Sequence, residues 1–291
     1  MSSANPYISK HPYVGMTAAI ATLHSKATVI GPVLDRWFGV RLIVAPEIDT
    51  DALGTFTGEI PRKGNMLDAA RAKAKLAIEK TGAELGIGSE GAFRPDPLVP
   101  FFASGRELIV LIEAATGHEV VVHRQTKTNF EHVVLSPGEP FQDYLDRIGF
   151  PQHAVVVRPQ PSNDASPIFK GLTDQGAIAT AVETVAAQSI IGRAIVQTDM
   201  RAHFNPTRMA AIKLTARKLA LRTARCCPIC NKPGFGLVDV DRGLPCGDCG
   251  SPTRLVRAEI YGCQSCGYKS RKRERPAGLR SNPMWCDYCN P

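Results

Sequence analysis

The sequence predicts an α/β protein, a mixed sheet flanked by helices, ending in a small metal-stapled domain. Three observations predict it. Short apolar runs alternate with segments of helical period from about residue 17 to residue 198. A hairpin pattern turning at Thr116-Gly117 breaks that alternation with an antiparallel pair. All nine cysteines of the 291-residue chain lie after position 225. The expected domains are a loose leader over residues 1–16, an α/β domain over 17–221 and a zinc-ribbon domain over 222–291.

Taken in order, Thr17–Thr22 (TAAIAT) reads as a short buried strand and Leu23–Lys26 as a turn. Ala27–Phe38 reads as a helix, and Pro32 within it implies either a kink or a helix that starts at Pro32. Arg41–Pro46 is a second buried strand. Met66–Lys80 carries Leu67, Ala70, Ala74, Ala77 and Ile78 at helical spacing and stops at Thr81-Gly82. Glu84–Gly88 is a strand expected to deliver Ser89-Glu90-Gly91 at its end. Leu108–Glu113 and Glu119–Gln125 form the hairpin, followed by a helix at Phe141–Ile148 and a strand at Ala154–Arg158. Gln160–Ser166 reads as a loop, Asp174–Ile191 as an alanine-rich helix and Arg193–Thr198 as a strand. Asn205-Pro206, an N-cap followed by proline at the first helical position, opens a long helix to about Arg225.

Bulk properties exclude some functions. A hydrophobic content of 44% suits a globular chain, no apolar run reaches membrane-spanning length, and the N-terminus lacks the apolar core of a signal peptide. A cytoplasmic protein with no membrane partner is expected. The net charge of +8 is unevenly placed: residues 222–291 hold 12 Lys and Arg against 6 Asp and Glu, leaving 23 against 21 elsewhere. Two zinc ions on eight thiolates would remove about four of those positive charges. The basic feature that remains is the run Lys269, Arg271, Lys272, Arg273 and Arg275.

The cysteines form four Cys-x-x-Cys pairs: Cys227/Cys230, Cys246/Cys249, Cys263/Cys266 and Cys286/Cys289. Thiolates three residues apart converge on one metal when the chain turns tightly, and each pair is followed by Gly or Asn, which tolerate the left-handed backbone such a turn requires. Four pairs make two closed four-cysteine sites, expected to hold two structural zinc ions, with iron as the minor alternative. Pairs combine in three ways. Sequential pairing leaves loops of 15 and 19 residues and is favoured over a nested arrangement. Cys226 stands outside the pairs.

The stretch Asp49–Phe93 sets Asp49, Asp51, Glu59, Asp68 and Glu90 among basic residues and glycines, a mixture better suited to a metal and a phosphate than to a core. Magnesium takes one or two carboxylates, waters and substrate phosphates, so Glu59, Asp68 and Glu90 are candidate ligands. Lys26, Arg62, Lys63, Arg201 and Arg208 are the available phosphate-binding cations. His24 and His203 read as hydrogen-bonding residues rather than catalysts.

Ala21–Lys26 resembles the strand-to-lysine turn of inosine triphosphatase-like enzymes, house-cleaning nucleotide pyrophosphatases, and Asp68–Ala74 resembles their Glu-Asn-Ala-x-x-Lys-Ala helix. Glu90-Gly91-Ala92-Phe93 is similar to the Glu-Ala-Gly-Ile turn of the inosine/xanthosine branch, and Thr207-Arg208 with Ala211 to the family's Ser/His-Arg-x-x-Ala pattern. The resemblance covers roughly residues 17–221. It implies an inosine triphosphatase-like mixed sheet ahead of a double zinc ribbon. It further implies Lys26 at the phosphates, Asp68 and Glu90 at Mg2+ (or Mn2+), and Arg208 at the nucleotide. The whole chain, with its GTFTGE, SEGAF and TDMRAHFNPTR segments and cysteine tail, also resembles an uncharacterised bacterial family. The leading expectation is a Mg2+-dependent nucleoside triphosphate phosphohydrolase, or a nucleotide-binding protein without turnover, carrying a structural zinc tail. The alternative is a non-catalytic RNA- or DNA-binding protein that uses the zinc ribbon and its basic run. The expected partners are a phosphate-bearing ligand, nucleic acid at the tail and a second copy of the chain.

Overall fold

The computed structural model describes residues 11–46, 64–96, 99, 103–160 and 167–291. Asp49, Asp51, Glu59, Arg62 and Lys63 lie outside the described residues, as does the expected loop after Gln160. The chain divides into two compact units, Tyr13–Leu219, and Ala220–Pro291 joined by the residues before Tyr13. In the latter, His11 Nε2 lies 2.9 Å from the Thr223 carbonyl. Among the described residues no helix is long and apolar enough to cross a membrane.

The first sheet of the Tyr13–Leu219 unit is built from β1 (Thr17–Ile20), β2 (Arg41–Val44), β3 (Leu85–Pro95), β4 (Ala103–Glu113) and β5 (Glu119–Lys127). Its order is β2-β1-β3-β4-β5, with β1 parallel to both neighbours and the other pairs antiparallel. Helix α1 (Ala27–Phe38) follows β1 and runs through Pro32, so the helix does not begin at the proline. Gly39 closes it in the left-handed conformation, its N–H donating to Asp35.

Helix α2 (Met66–Thr81) is begun by a capping box: the Asn65 side chain accepts from the N–H groups of Leu67 and Asp68, while Asp68 accepts from the Asn65 N–H. Its buried face is all alanine, Ala69, Ala70, Ala74 and Ala77, and opposite it β3 carries Gly86 and Gly88. A Cβ on Gly86 would lie 2.4 Å from the Ala74 carbonyl oxygen, and one on Gly88 only 1.8 Å from that of Ala70. Small residues on both partners thus bring the helix backbone directly onto the strand.

β3 is longer than the sequence suggests. It continues from Leu85 to Pro95, paired residue for residue with β4, so Ser89-Glu90-Gly91 lie within a strand and not at its end. Gly86 and Gly88 are positions of close approach to α2.

The second sheet, ordered β6-β9-β7-β8, is antiparallel throughout. It comprises β6 (His132–Leu135), β7 (Val155–Gln160), β8 (Phe169–Leu172) and β9 (Arg193–Thr198). The four-residue β6 and β8 carry too little pattern to be read from sequence. Helices α3 (Gln142–Ile148) and α4 (Gln175–Ala186) cover it, burying Leu145, Ile148, Ile178 and Val185 on Val155, Val157 and Val196. Helix α5 (Pro206–Thr223) starts where Asn205 Oδ1 accepts from the Arg208 N–H at 2.9 Å.

In the cysteine unit, β10 (Gly236–Arg242), β11 (Val256–Gly262) and β12 (Lys269–Lys272) form an antiparallel sheet in chain order.

Candidate functional site

In the Tyr13–Leu219 unit, charged side chains converge where β1 ends. β1 pairs with β3 only as far as Ile87, so from Gly88 onward that edge of β3 is unpaired among the described residues. Lys26, at the start of α1, fills this place: its buried ammonium donates to the Ser89 carbonyl at 2.7 Å. Burial above all, then the Arg208 charge, pushes its pKa down to about 7, although Glu90 and Glu107 act the other way.

The two acids lie on opposite faces of the sheet. Glu90 shares the α2 face with Leu108, its cross-strand partner, and its carboxylate meets the Lys73 ammonium at 2.5 Å. Glu107 is opposite Gly91 on the other face and accepts from Arg208 Nε at 2.8 Å, with both side chains buried. Arg208 also donates to the Met200 carbonyl and lies 5.0 Å from the centre of the Phe93 ring. A Cβ on Gly91 would lie 2.5 Å from the guanidinium and 2.8 Å from a Glu107 carboxylate oxygen, so a side chain here would push this ion pair aside. The second oxygen of Glu107 and the hydroxyl of Ser89 are buried without a hydrogen-bond partner among the described residues. Buried polar atoms of that kind call for an explanation, of which a functional role is one.

Beside this cluster, the His24 and His203 rings stack 4.9 Å apart. Burial, then the Lys26 charge, lowers His24 to about 3, so it is neutral at physiological pH. Arg201 is held by the buried Asp199, with Nη2 to Oδ2 at 2.6 Å, and its guanidinium lies over Phe204. Of the expected residues the fold therefore gathers Lys26, Glu90 and Arg208, with Arg201 engaged nearby. Asp68 is half exposed, occupied by its capping box and by Arg71 at 3.7 Å. Sequence reading passed over Lys73 and Glu107. Lys73 had a signal: it interrupts the buried alanine stripe of α2 between Ala70, Ala74 and Ala77. Glu107 had none until strand pairing placed it opposite Gly91.

The eight paired cysteines form two groups of four, each with its Sγ atoms within 4.8 Å of one another. Cys227/Cys230 join Cys263/Cys266, and Cys246/Cys249 join Cys286/Cys289. The pairs are therefore interleaved, and the expected sequential pairing is corrected. Antiparallel strands are the cause. Successive pairs lie before β10, between β10 and β11, after β11 and beyond β12, so they alternate between the two ends of the sheet.

The geometry fits a tetrahedral ion. Zinc–sulfur bonds of about 2.3 Å require a sulfur–sulfur edge of about 3.8 Å. Two edges of each group are close to that length: 3.7 Å for Cys227–Cys266 and 3.6 Å for Cys230–Cys263, and 3.9 Å for Cys246–Cys289 and 3.6 Å for Cys249–Cys286. All four turns share one backbone bond, from the N–H of the residue after the second cysteine to the carbonyl of the first. Asn231, Gly250 and Gly267 take the left-handed conformation in three of them. Among the described residues each group consists of four cysteines and no other His, Cys, Asp or Glu, the ligand set of a closed site.

Fold and sites together define a mixed α/β protein with a C-terminal unit built around two candidate metal centres. Residues 73–291 match the family described as "Domain of unknown function (DUF6671)", and the chain belongs to that family. The matched span includes Lys73, Glu90, Glu107, Arg208 and every cysteine, and begins after Lys26 and Asp68. No curated protein and no solved structure matches the chain.

Proposed function

We propose that the Tyr13–Leu219 unit binds the phosphates of a nucleotide at Lys26, beside the edge of β3 beyond Ile87, and hydrolyses a phosphoanhydride with Mg2+ or Mn2+. The observation that carries this reading is the burial of Lys26 among Lys73, Glu90, Glu107 and Arg208, residues that five separate segments bring to one place. A core has no use for three cations and two carboxylates, whose desolvation costs several kcal/mol per ion.

Glu90 suits the metal ion, since it already holds a cation, the Lys73 ammonium, and Mg2+ is satisfied by one carboxylate with waters and phosphate oxygens. When bound, the ion would neutralise phosphate charge and polarise the bond to be cut. Were such an ion to take the place of Lys73 on Glu90, the Lys73 ammonium would be able to meet a phosphate. Arg208, fixed by Glu107 and the Met200 carbonyl, presents its remaining donors in a set direction. An approaching phosphate would raise the pKa of Lys26 and so favour its ammonium form. The eight cysteines hold two zinc ions that fold the C-terminal unit.

The test is a panel of nucleoside triphosphates with Mg2+ or Mn2+, followed by calorimetric binding and by release of phosphate or pyrophosphate. Lys26→Ala should abolish both binding and release. Glu90→Gln should abolish release and keep metal-free binding. No binding of any nucleotide by the wild type would overturn the proposal.

A further inference from the structure

In the cysteine unit, two members of the basic run expected to meet nucleic acid, Arg271 and Arg273, are engaged in internal ion pairs. Arg271 contacts Asp241 at 2.6 Å and Glu274 at 3.1 Å, Arg273 contacts Glu259 at 3.5 Å, and Arg257 also holds Asp241. Two arginines differ. Among the described residues, neither Arg275 nor Arg280 has a carboxylate within ion-pair distance, and both line one cavity of about 220 Å3. Leu244, Pro245, Pro276 and Leu279 contribute its apolar wall.

The rim is preformed. Past β12 the chain is pinned by the Arg275 N–H on the Arg257 carbonyl at 2.8 Å, arcs outward, and is pinned again by the Ser281 N–H on the Pro245 carbonyl at 2.8 Å. The next residues expose two flat rings, Trp285 at 56% and Tyr288 at 79%, neither in contact with another ring among the described residues. Arg280 reaches toward the turn of the Cys246/Cys249 pair, its guanidinium lying 3.6 Å from where a Cβ on Gly250 would stand.

The geometry points to a single-stranded nucleic-acid site on the cysteine unit, in which Arg275 and Arg280 hold phosphates at the cavity and Trp285 and Tyr288 stack on unpaired bases. Unpaired guanidiniums alone suit any polyanion. Exposed planar rings in addition suit a strand whose bases are free, because stacking is open to every base and needs no sequence. An acidic peptide uses only the charges, and a duplex conceals its base faces. The inference is independent of the nucleotide reading, since it concerns residues of the other unit alone.

The test uses the zinc-loaded full chain and three probes: a labelled oligothymidylate, its duplex with oligoadenylate, and polyglutamate of similar length. Fluorescence anisotropy at low salt should show the single strand bound tightest, with affinity falling as salt rises. Arg275→Ala or Arg280→Ala should weaken it and flatten the salt dependence by about 0.7 in slope per lost phosphate contact. Trp285→Ala should weaken it about tenfold, and Trp285→Phe much less. Arg273→Ala, which removes an internally paired cation, should change nothing. Zinc content measured on each variant separates lost contacts from lost folding. Equal binding of the duplex or of polyglutamate, no binding of the single strand, or a loss confined to Arg273→Ala would each overturn the inference.

Discussion

At the scale of single residues, Lys26 makes the clearest demand on solution behaviour. Its folded pKa of about 7 lies below the ordinary 10.5, so between those values the unfolded chain binds more protons than the folded one. Stability therefore rises with pH across that window, on the order of a few kcal/mol. Below pH 7 both states carry the proton and the full cost of burying it remains. Urea unfolding from pH 7 to about 10 should show this rise in wild type and lose it in Lys26→Met, and parallel curves would refute the assignment. Residues of this kind were partly legible. Lys26, Glu90 and Arg208 stood out as polar groups at element junctions, and Lys73 was readable as a charge on an alanine stripe. Glu107 was not, because its place opposite Gly91 depends on a strand pairing between segments that no local pattern fixes.

At the scale of elements, α2 against β3 shows why some of the fold could be read and some could not. Helix α2 was legible because its apolar period and terminal glycine are local. The length of β3 was hidden because the polar stretch from Ser89 to Gly91 follows the apolar run, while Gly86, Gly88 and Gly91 admit the α2 backbone and the Arg208 guanidinium. Gly88→Ala should accordingly destabilise by about 3 kcal/mol or more, since the added methyl meets backbone that cannot turn aside. Gly31→Ala, inside α1 with its nearest neighbour at 3.5 Å, should instead stabilise by about 0.5–1 kcal/mol. Thermal unfolding of the two variants tests the contrast, and equal effects would mean that the α2–β3 contact yields more readily than the geometry states.

At the scale of the whole molecule, the cysteine unit was legible as chemistry and not as topology. The spacing of the pairs announces two metals, but which pairs join depends on strand direction, and the alternation of antiparallel strands interleaves them. Interleaving couples the sites, because each one ties together the chain on both sides of the other. Cys227→Ser should therefore lower bound zinc well below one ion per chain, and chelator titration of wild type should release both ions in one cooperative step. A variant that keeps one full equivalent would show the sites to be independent.

The same interleaving sets an order of events during synthesis. A ribosome delivering the chain from its N-terminus cannot complete a metal site when the second Cys-x-x-Cys pair emerges, because the partner of the first is Cys263/Cys266. By then the central strand β11 has already been made and lies between the ligands it must bring together. The second site waits for Cys289. Metal capture thus reports that the sheet exists, and a message cut short before the third pair yields a tail with thiols but no complete site to bind zinc.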